Sequence, residues 1–399
     1  MKIIFYTGYS KDKWNKQTWE TKGIGGSEYC VIKLAEYLAK EGHKVIVTGN
    51  VEGCYMNKVT YIDYEAILNK GNERGSNSIA FTHFDIAIGV NYIHYIEALQ
   101  EACITYNKSL FWMHNTDFHD FFKGNKMNNA REILGSKMMN GIVCVSGWQR
   151  EYIKREYSSS FTHNNIDPNT YIHVMSNAID LNDWDDVIET KVKDRIIYSS
   201  ATDRGLDALL EMFPTLRANN PNLTLHICTP PYSEKWGYNV PEMDGIKWLG
   251  ALSPKKLYAE ISKAEYWLYP SVYPETFCIS ALEMMVGGVK MLSTNTGNLN
   301  SLITPFANII DLESIEAYGL KGMEDVVRGD IQNKTITAMN RNMGSCHDDK
   351  QYHYEWYRKT MNAKKWVKLQ SWEIRVYDWL NMLEHIVPQE ERVETNWSK

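Results

Sequence analysis

The sequence has neither an excess of positive charge nor a long apolar stretch. Its 399 residues carry a net charge of -6, so the overall charge gives no electrostatic footprint for nucleic acid or for an anionic membrane. No apolar run approaches the roughly 20 residues that span a bilayer, and residues 1–8 lack a signal-peptide cleavage site. We therefore expect no nucleic-acid partner, no transmembrane segment and a cytoplasmic location.

Paired cysteines are also missing. The seven cysteines are odd in number, are scattered along the chain and form no CxxC pair. This distribution favours buried free thiols in a reducing compartment over a disulfide framework. Neither half contains a GxGxxG motif with an acidic residue about 20 positions later. This absence argues against a nicotinamide-dependent oxidoreductase.

What the sequence does contain is an alternation of short apolar strands and helical stretches. The pattern begins at residues 2–7 and restarts at residues 195–200. It predicts two α/β units, each with a parallel sheet covered on both faces, and two such units imply a cleft for a ligand. The charged residues 181–194 are predicted to be the linker, and the polar residues 158–170 a loop. Apolar residues at helical spacing predict one or two helices in residues 356–386.

Two acidic residues flank a helix that is predicted over residues 276–286. Glu275 precedes this helix, and Glu283 should lie about two turns inside it. Backbone N–H groups of Thr276, Phe277 and Cys278 are expected to be the unpaired donors of the first turn, which form an anion site. Both acids could be solvated charges at a helix start. The apolar neighbours of Glu283 favour a buried or cleft-facing carboxylate with a hydroxyl partner.

A glycine pair, an arginine and a histidine also have the chemistry of a binding site, and each could instead have a purely structural role. Gly25 and Gly26 lie before the first long helix, where a backbone can approach an anion or merely turn. Arg204 follows the first strand of the second half, where it could bind phosphate or pair with a neighbouring acid. His114 ends a strand and is expected to point into the cleft, unless it is only a hydrogen-bonded loop residue.

The acidic and histidine clusters do not predict a metal site. The spacing of His114, Asp117, His119 and Asp120 matches no common zinc pattern. Asp183 and Asp185 could be mistaken for a pair that holds a divalent ion, but they lie in the predicted linker rather than at a strand end. We expect no metal.

Taken together, these motifs resemble glycosyltransferase family 4, the retaining enzymes that use nucleotide sugars. Glu275 and Glu283 form E-x7-E after a Tyr-Pro turn, and residues 199–210 read SSATDRGLDALL. Segments 25–28, 145–150 and 177–180 fit as well, so the resemblance covers most of the chain. It implies the GT-B fold, in which two Rossmann-like parallel-sheet domains face a cleft and the C-terminal helix crosses back to the N-terminal domain. The implied domains are an acceptor-side domain 1–185, a donor domain 186–360 and a returning helical segment 361–399.

The resemblance also implies roles for the candidate residues. Arg204 would meet the diphosphate of the donor, Glu275 its sugar, Glu283 the ribose hydroxyls, and His114 the reacting carbon. Expected to be catalytic are Glu275, His114 and Arg204. Expected to bind the donor are Gly25, Gly26, Arg204, Glu275, Thr276, Phe277, Cys278 and Glu283.

The implied reaction is transfer of a hexosyl or pentosyl group from a UDP- or GDP-sugar to a glycan, glycoprotein or glycolipid, in glycan biosynthesis. No metal and no permanently bound cofactor is implied.

Two departures from the family pattern bear on the diphosphate site and on the identity of the donor. Many relatives carry a second basic residue five positions before the one at Arg204, and here that position is Ser199. Asn298 and Asn300 replace a glycine and an acid that are often found there. The alternatives are a sugar-nucleotide epimerase of GT-B fold, which would need no acceptor, and a non-catalytic subunit that binds nucleotide sugars.

Overall fold

A computed structural model describes residues 1–10, 12–68, 79–118, 126–234, 242–311, 324–343 and 350–386. The chain divides into two compact units. Unit 1 is formed by residues 1–17, 27–177 and 372–399, and unit 2 by residues 18–26 and 178–371. The segment 181–194, which the sequence predicts as a linker, lies within unit 2. There Trp184 is buried and stacks on Tyr258, with 4.3 Å between the ring centroids.

Unit 1 is built on an eight-stranded sheet in the order β3-β4-β2-β1-β5-β6-β7-β8. Neighbouring strands are parallel except β3 and β4, which form an antiparallel pair at one edge. Strands such as β1 are almost wholly buried, because a sheet covered on both faces requires continuous apolar runs. The strands are β1 Lys2–Tyr6, β2 Lys44–Gly49, β3 Cys54–Met56, β4 Val59–Asp63, β5 His83–Val90, β6 Thr105–Met113, β7 Gly141–Cys144 and β8 Ile172–Val174.

The described residues before residue 178 form eight α-helices. They are α1 Lys16–Lys22, α2 Gly26–Lys40, α3 Tyr64–Leu68, α4 Tyr95–Glu101, α5 Lys126–Gly135, α6 Gly147–Glu156, α7 Ser158–His163 and α8 Pro168–Tyr171. Most of α1 and the first residue of α2 group with unit 2. The prediction of a loop at residues 158–170 is wrong, because α7 and most of α8 lie there. The other residues of α7 are polar, but the Phe161 side chain is buried in the core of unit 1. This one apolar side chain fixes the helix against the core.

Unit 2 has a six-stranded, fully parallel sheet in the order β11-β10-β9-β12-β13-β14. Its strands are β9 Arg195–Ser199, β10 Thr224–Cys228, β11 Ile246–Gly250, β12 Tyr266–Tyr269, β13 Lys290–Thr294 and β14 Asn308–Ile310. Its helices are α9 Leu206–Asn219, α10 Pro231–Glu234, α11 Pro254–Lys263, α12 Ile279–Gly287, α13 Leu299–Ile303, α14 Glu324–Met343 and α15 Lys350–Val367. This is the strand order of a doubly wound nucleotide-binding sheet.

The last described helix, α16 (Trp372–His385), returns to unit 1. Trp379 packs edge-on against Trp112 of β6, with 4.9 Å between the ring centroids. The Lys108 ammonium donates to the carbonyl of Leu383 at 3.0 Å, a favourable place for a cation because helix carbonyls are unpaired there. The predicted return of the C-terminal helix is therefore present, and it begins at Trp372. Among the described residues, no helix combines the length and apolar character that crossing a membrane requires.

We expect Trp379→Ala to lower the free energy of unfolding by about 3–5 kcal/mol, because it removes a fully buried indole from between α16 and the sheet. Ile374→Ala is the matched control, since Ile374 lies on the same helix and is 43% exposed. The measurement is urea unfolding followed by circular dichroism. Equal effects of the two substitutions would contradict this packing.

Candidate active site

The strand order of unit 2 reverses between β9 and β12, which are neighbours in the sheet. In open α/β sheets, ligands bind outside the carboxyl ends of the strands at such a reversal. The loop after β9 contains Arg204, and the loop after β12 contains Glu275. The topology of unit 2 alone therefore brings two of the predicted site residues to the edge where a ligand is expected.

A glycine lets these two loops approach closely. Gly205, which caps α9, has φ +86°, and a Cβ at this position would lie 2.4 Å from the carbonyl oxygen of Pro270. No other residue would fit without moving one of the loops, since real Cβ atoms do not approach so closely. The glycine in the sequence SSATDRG thus sets the position of the arginine before it.

Arg204 and Glu275 form an ion pair, with 3.5 Å between Nε and Oε1. Their side chains are only 20% and 12% exposed, so little water screens the attraction. The guanidinium carbon lies 3.2 Å from the centroid of the Tyr273 ring, in a cation–π contact. A second carboxylate, from the more exposed Asp203, also pairs with the guanidinium. The arginine is thus held by two carboxylates and an aromatic ring. The sequence left open whether Arg204 pairs with a neighbouring acid. It does pair with Asp203, and it contacts Glu275 as well.

The Glu275 carboxylate is oriented by hydrogen bonds as well as by charge. The Tyr269 hydroxyl donates to Oε1 at 2.6 Å, and the same hydroxyl lies 3.1 Å from the Ser200 hydroxyl. Burial raises the pKa of Glu275, while the Tyr269 hydroxyl and the Arg204 guanidinium partly offset the rise. These contacts fix the carboxylate in one direction, as a group that meets a substrate requires.

The loop after β13 holds the backbone of Glu275. Gly297 has φ +59°, and a Cβ there would lie 2.4 Å from the Glu275 carbonyl oxygen. The next residue, Asn298, donates its backbone N–H to that carbonyl at 2.7 Å and its side-chain amide to the carbonyl of Phe277 at 3.2 Å. In the sequence Asn298 was a departure from a family pattern. In the structure it stabilises the loop that bears Glu275.

The prediction that Thr276, Phe277 and Cys278 form the first turn of a helix is wrong. Helix α12 begins at Ile279, and Cys278 is its cap, with φ +78° and ψ +81°. A left-handed residue cannot continue a right-handed helix, so the helix starts only after it. Thr276, Phe277 and Cys278 lie in irregular, largely buried backbone before the helix. Their role in donor binding remains a prediction.

Glu283 lies about one turn inside α12, nearer its start than predicted. Its side chain is half-buried, and burial raises its pKa to about 7. Burial raises the pKa values of the Tyr258 hydroxyl and the Cys228 thiol, and the charge of Glu283 adds to both shifts, since it lies near α11 and the end of β10. A desolvated carboxylate gains free energy when hydroxyl groups donate to it.

The glycine loop before α2 lies against Leu252 and Ile279 of unit 2. Gly23 has φ +74°, and a Cβ there would lie 2.8 Å from the Leu252 carbonyl oxygen, while one at Gly26 would lie 3.2 Å from Cδ1 of Ile279. Gly25 lies between them. The loop therefore packs beside the first residue of α12, which explains why residues 18–26 group with unit 2.

His114 lies in unit 1, directly after β6. Its backbone N–H donates to Oδ1 of Asn91 at 2.8 Å, and its ring lies 4.6 Å from that of Trp112. Burial lowers the pKa of the imidazole to about 3. His114 is consequently neutral at physiological pH and can exchange hydrogen bonds but not supply a positive charge.

Gln149 is not among the site residues predicted from the sequence, although segment 145–150 is part of the family resemblance. Its fully buried amide donates to the carbonyls of Met113 and Asn115 at 3.1 and 2.7 Å, and its oxygen accepts from the backbone of Val145 at 2.6 Å. The two carbonyls flank His114. Gln149 thus fixes the backbone on both sides of the predicted catalytic histidine. No local pattern in the sequence signals this role, because it depends on hydrogen bonds to backbone groups more than 30 positions away.

No group of three or more His, Cys, Asp or Glu side chains could hold a metal ion within the described part of the chain. His119 and Asp120, two members of the cluster weighed in the sequence, lie outside the described residues. Asp183 lies in a short 3-10 turn, Leu181–Trp184.

We expect Cys278→Gly to be more stable than Cys278→Ala by about 1 kcal/mol, because only glycine adopts φ +78° without a steric cost. Both substitutions remove the thiol, so the difference isolates the backbone. Thermal and urea unfolding measure it, and an alanine variant as stable as the glycine variant would show that this conformation is not strained.

Comparison with known proteins identifies the fold. Residues 183–337 match the family model of the glycosyl transferases group 1. A stretch of 112 residues is 27% identical to the lipopolysaccharide 1,2-N-acetylglucosaminetransferase of Salmonella typhimurium, covering 25% of this chain and 29% of that protein. The match thus spans less than a third of the length of that curated relative.

Solved structures resemble the whole chain. Sucrose-phosphate synthase from Thermosynechococcus elongatus superposes with a TM-score of 0.63 at 12% identity, over 96% of this chain and 98% of that one. Anabaena HepE in complex with UDP and glucose gives a TM-score of 0.61 at 12% identity, over 96% and 99%. The predicted fold class is confirmed: both units have the parallel α/β sheets of the GT-B glycosyltransferases, and residues 183–337 match the glycosyl transferases group 1.

Proposed function

We propose that the protein is a retaining glycosyltransferase that moves a hexosyl or pentosyl group from a UDP- or GDP-sugar to a hydroxyl of a glycan, glycoprotein or glycolipid. The observation that carries the proposal is the partly buried Arg204–Glu275 pair at the strand-order reversal of unit 2. The match of residues 183–337 to the glycosyl transferases group 1 supports it. Six described cysteines are free, which is consistent with a reducing, cytoplasmic setting.

In this proposal unit 2 binds the donor. Arg204 binds the diphosphate, and its planar guanidinium suits two phosphate oxygens at once. Glu283 accepts hydrogen bonds from the ribose hydroxyls, and Glu275 from hydroxyls of the sugar. Gly25 and Gly26 let the backbone approach the donor, and residues 276–278 line its site.

The main chemical requirement is the leaving diphosphate, which gains negative charge as the sugar departs. A cation already fixed by Tyr273 and Glu275 stabilises that charge without having to reorganise, and such stabilisation is the largest contribution in many enzymes. The neutral His114 would contribute a hydrogen bond beside the reacting carbon. The reaction so described needs no metal and no bound cofactor.

We expect Arg204→Ala to reduce kcat/KM for transfer by about 10²- to 10³-fold, the loss typical when one donor to a developing anion is removed. Arg217→Ala is the control, because Arg217 also lies in unit 2 and pairs with an exposed acid, Asp244. Product formation is measured with and without acceptor, after circular dichroism confirms folding. Near-normal transfer by Arg204→Ala would contradict its role, and product without acceptor would indicate an epimerase instead.

Donor affinity is expected to depend on the ionisation of Glu283. The ribose hydroxyls donate to the ionised carboxylate, so the donor binds more tightly as the pH rises through the pKa of about 7, with roughly tenfold weaker binding for each unit below it. Calorimetry with an intact nucleotide sugar measures this, since its diphosphate does not titrate in this range. The Glu283→Gln variant should bind more weakly at pH 8 and lose the dependence. An unchanged profile in that variant would assign the titration to another group.

A further inference from the structure

The exposed face of α15 combines large apolar side chains with cations. Exposed fractions are 66% for Tyr354, 58% for Tyr357, 39% for Met361 and 62% for Leu369, which follows the helix. Monomeric proteins expose single apolar residues routinely, but a contiguous row indicates an interaction surface. Tyr354, Tyr357 and Met361 are three and four positions apart, so they lie on one side of α15, and Leu369 lies in the turn after it.

The other side of α15 already has its partners. Trp356, Ala363 and Val367 are each only 1% exposed, and Trp356 packs on Tyr266 of β12. The helix is therefore held in unit 2 by its buried face, and the row of Tyr354, Tyr357 and Met361 is not needed for that packing.

Cations occupy the same exposed side. Arg358 and Lys365 are exposed on α15, at helical spacing from Tyr354 and Met361, and Lys368 is exposed in the turn that follows the helix. Lys359, by contrast, is turned toward the protein, where its ammonium donates to the carbonyl of Ala307 at 3.0 Å. We call the exposed side the α15 stripe, defined as Tyr354, Tyr357, Arg358, Met361, Lys365, Lys368 and Leu369.

The charge of this segment opposes that of the rest of the chain. Residues 354–371 contain five basic residues and one acidic residue, in a chain of net charge -6, so the other residues carry a net charge of -10. The total charge, which gave no indication of an anionic partner, thus conceals a local basic surface. Such segregation concentrates attraction for an anionic surface at one helix.

We propose that the α15 stripe binds the surface of a membrane that contains anionic lipids. Tyrosine rings are enriched at the membrane–water boundary, where their apolar body and polar tip are both satisfied. Met361 and Leu369 enter the acyl boundary, and Arg358, Lys365 and Lys368 contact the headgroups. An exposed helix face suits a lipid surface, which adapts to the side chains. This inference is independent of the catalytic function proposed above.

The test is flotation of the full chain with large vesicles of phosphatidylcholine alone or mixed equally with phosphatidylglycerol. Each cation near such a surface contributes about 1 kcal/mol, so we expect about a hundredfold tighter binding to the anionic vesicles, and release at high salt. Arg358→Glu/Lys365→Glu should abolish the preference. Lys255→Glu/Lys256→Glu, an equal change of charge at exposed lysines of α11, should retain most of it.

A second variant, Tyr354→Ser/Tyr357→Ser, separates insertion from charge attraction. It changes only exposed side chains, so folding should persist, and binding should fall at least tenfold. Unchanged binding of the tyrosine variant would overturn the proposal, as would equal losses in the α15 and α11 charge variants. A dimer that forms without vesicles and is broken by the α15 substitutions would overturn it in favour of an interface between two copies.

Discussion

The ion pair between Arg204 and Glu275 is the interaction on which the arrangement of the candidate site depends. Neither charge is well solvated, since the side chains are 20% and 12% exposed, and a partly buried charge without a partner is costly. Four neighbouring features hold the two side chains or their loops in position. Gly205 brings the two loops together, Tyr273 stacks on the guanidinium, Tyr269 orients the carboxylate, and the loop at Gly297 holds the backbone.

This arrangement has a chemical consequence for the proposed reaction. The Arg204 guanidinium pairs with both Glu275 and Asp203. A diphosphate must therefore compete with a carboxylate, and the more exposed Asp203 is the easier one to displace. The cation is oriented before the donor arrives, so little of the binding free energy is spent on ordering it.

Much of the fold could be predicted from the sequence, because buried parallel strands require apolar runs that are easy to recognise. The run at Tyr266–Tyr269 is a strand over the same residues, and the tail helix returns to unit 1. Other features depended on tertiary contacts. The polar α7 forms because Phe161 is buried, and α12 starts late because Cys278 is left-handed. Neither fact is visible in a local pattern.

In the candidate site, too, some features could be predicted from local sequence and others depend on tertiary contacts. The residue types at Arg204, Glu275 and Glu283 could be selected from a motif and its position after strands. The contacts that hold the backbone at Glu275 and at His114 could not be predicted, because Asn298 and Gln149 act through hydrogen bonds to distant backbone groups. The basic α15 stripe was hidden for another reason: the charge of the whole chain averages over a strongly uneven distribution.

The most direct test of the central claim is a crystal structure with a nucleoside diphosphate, chosen by thermal shift from a panel of nucleotides and nucleotide sugars. We predict the diphosphate at the carboxyl ends of β9 and β12, in contact with the Arg204 guanidinium, and the ribose hydroxyls within hydrogen-bonding distance of Glu283. A nucleotide bound elsewhere, with the Arg204–Glu275 pair undisturbed, would contradict it.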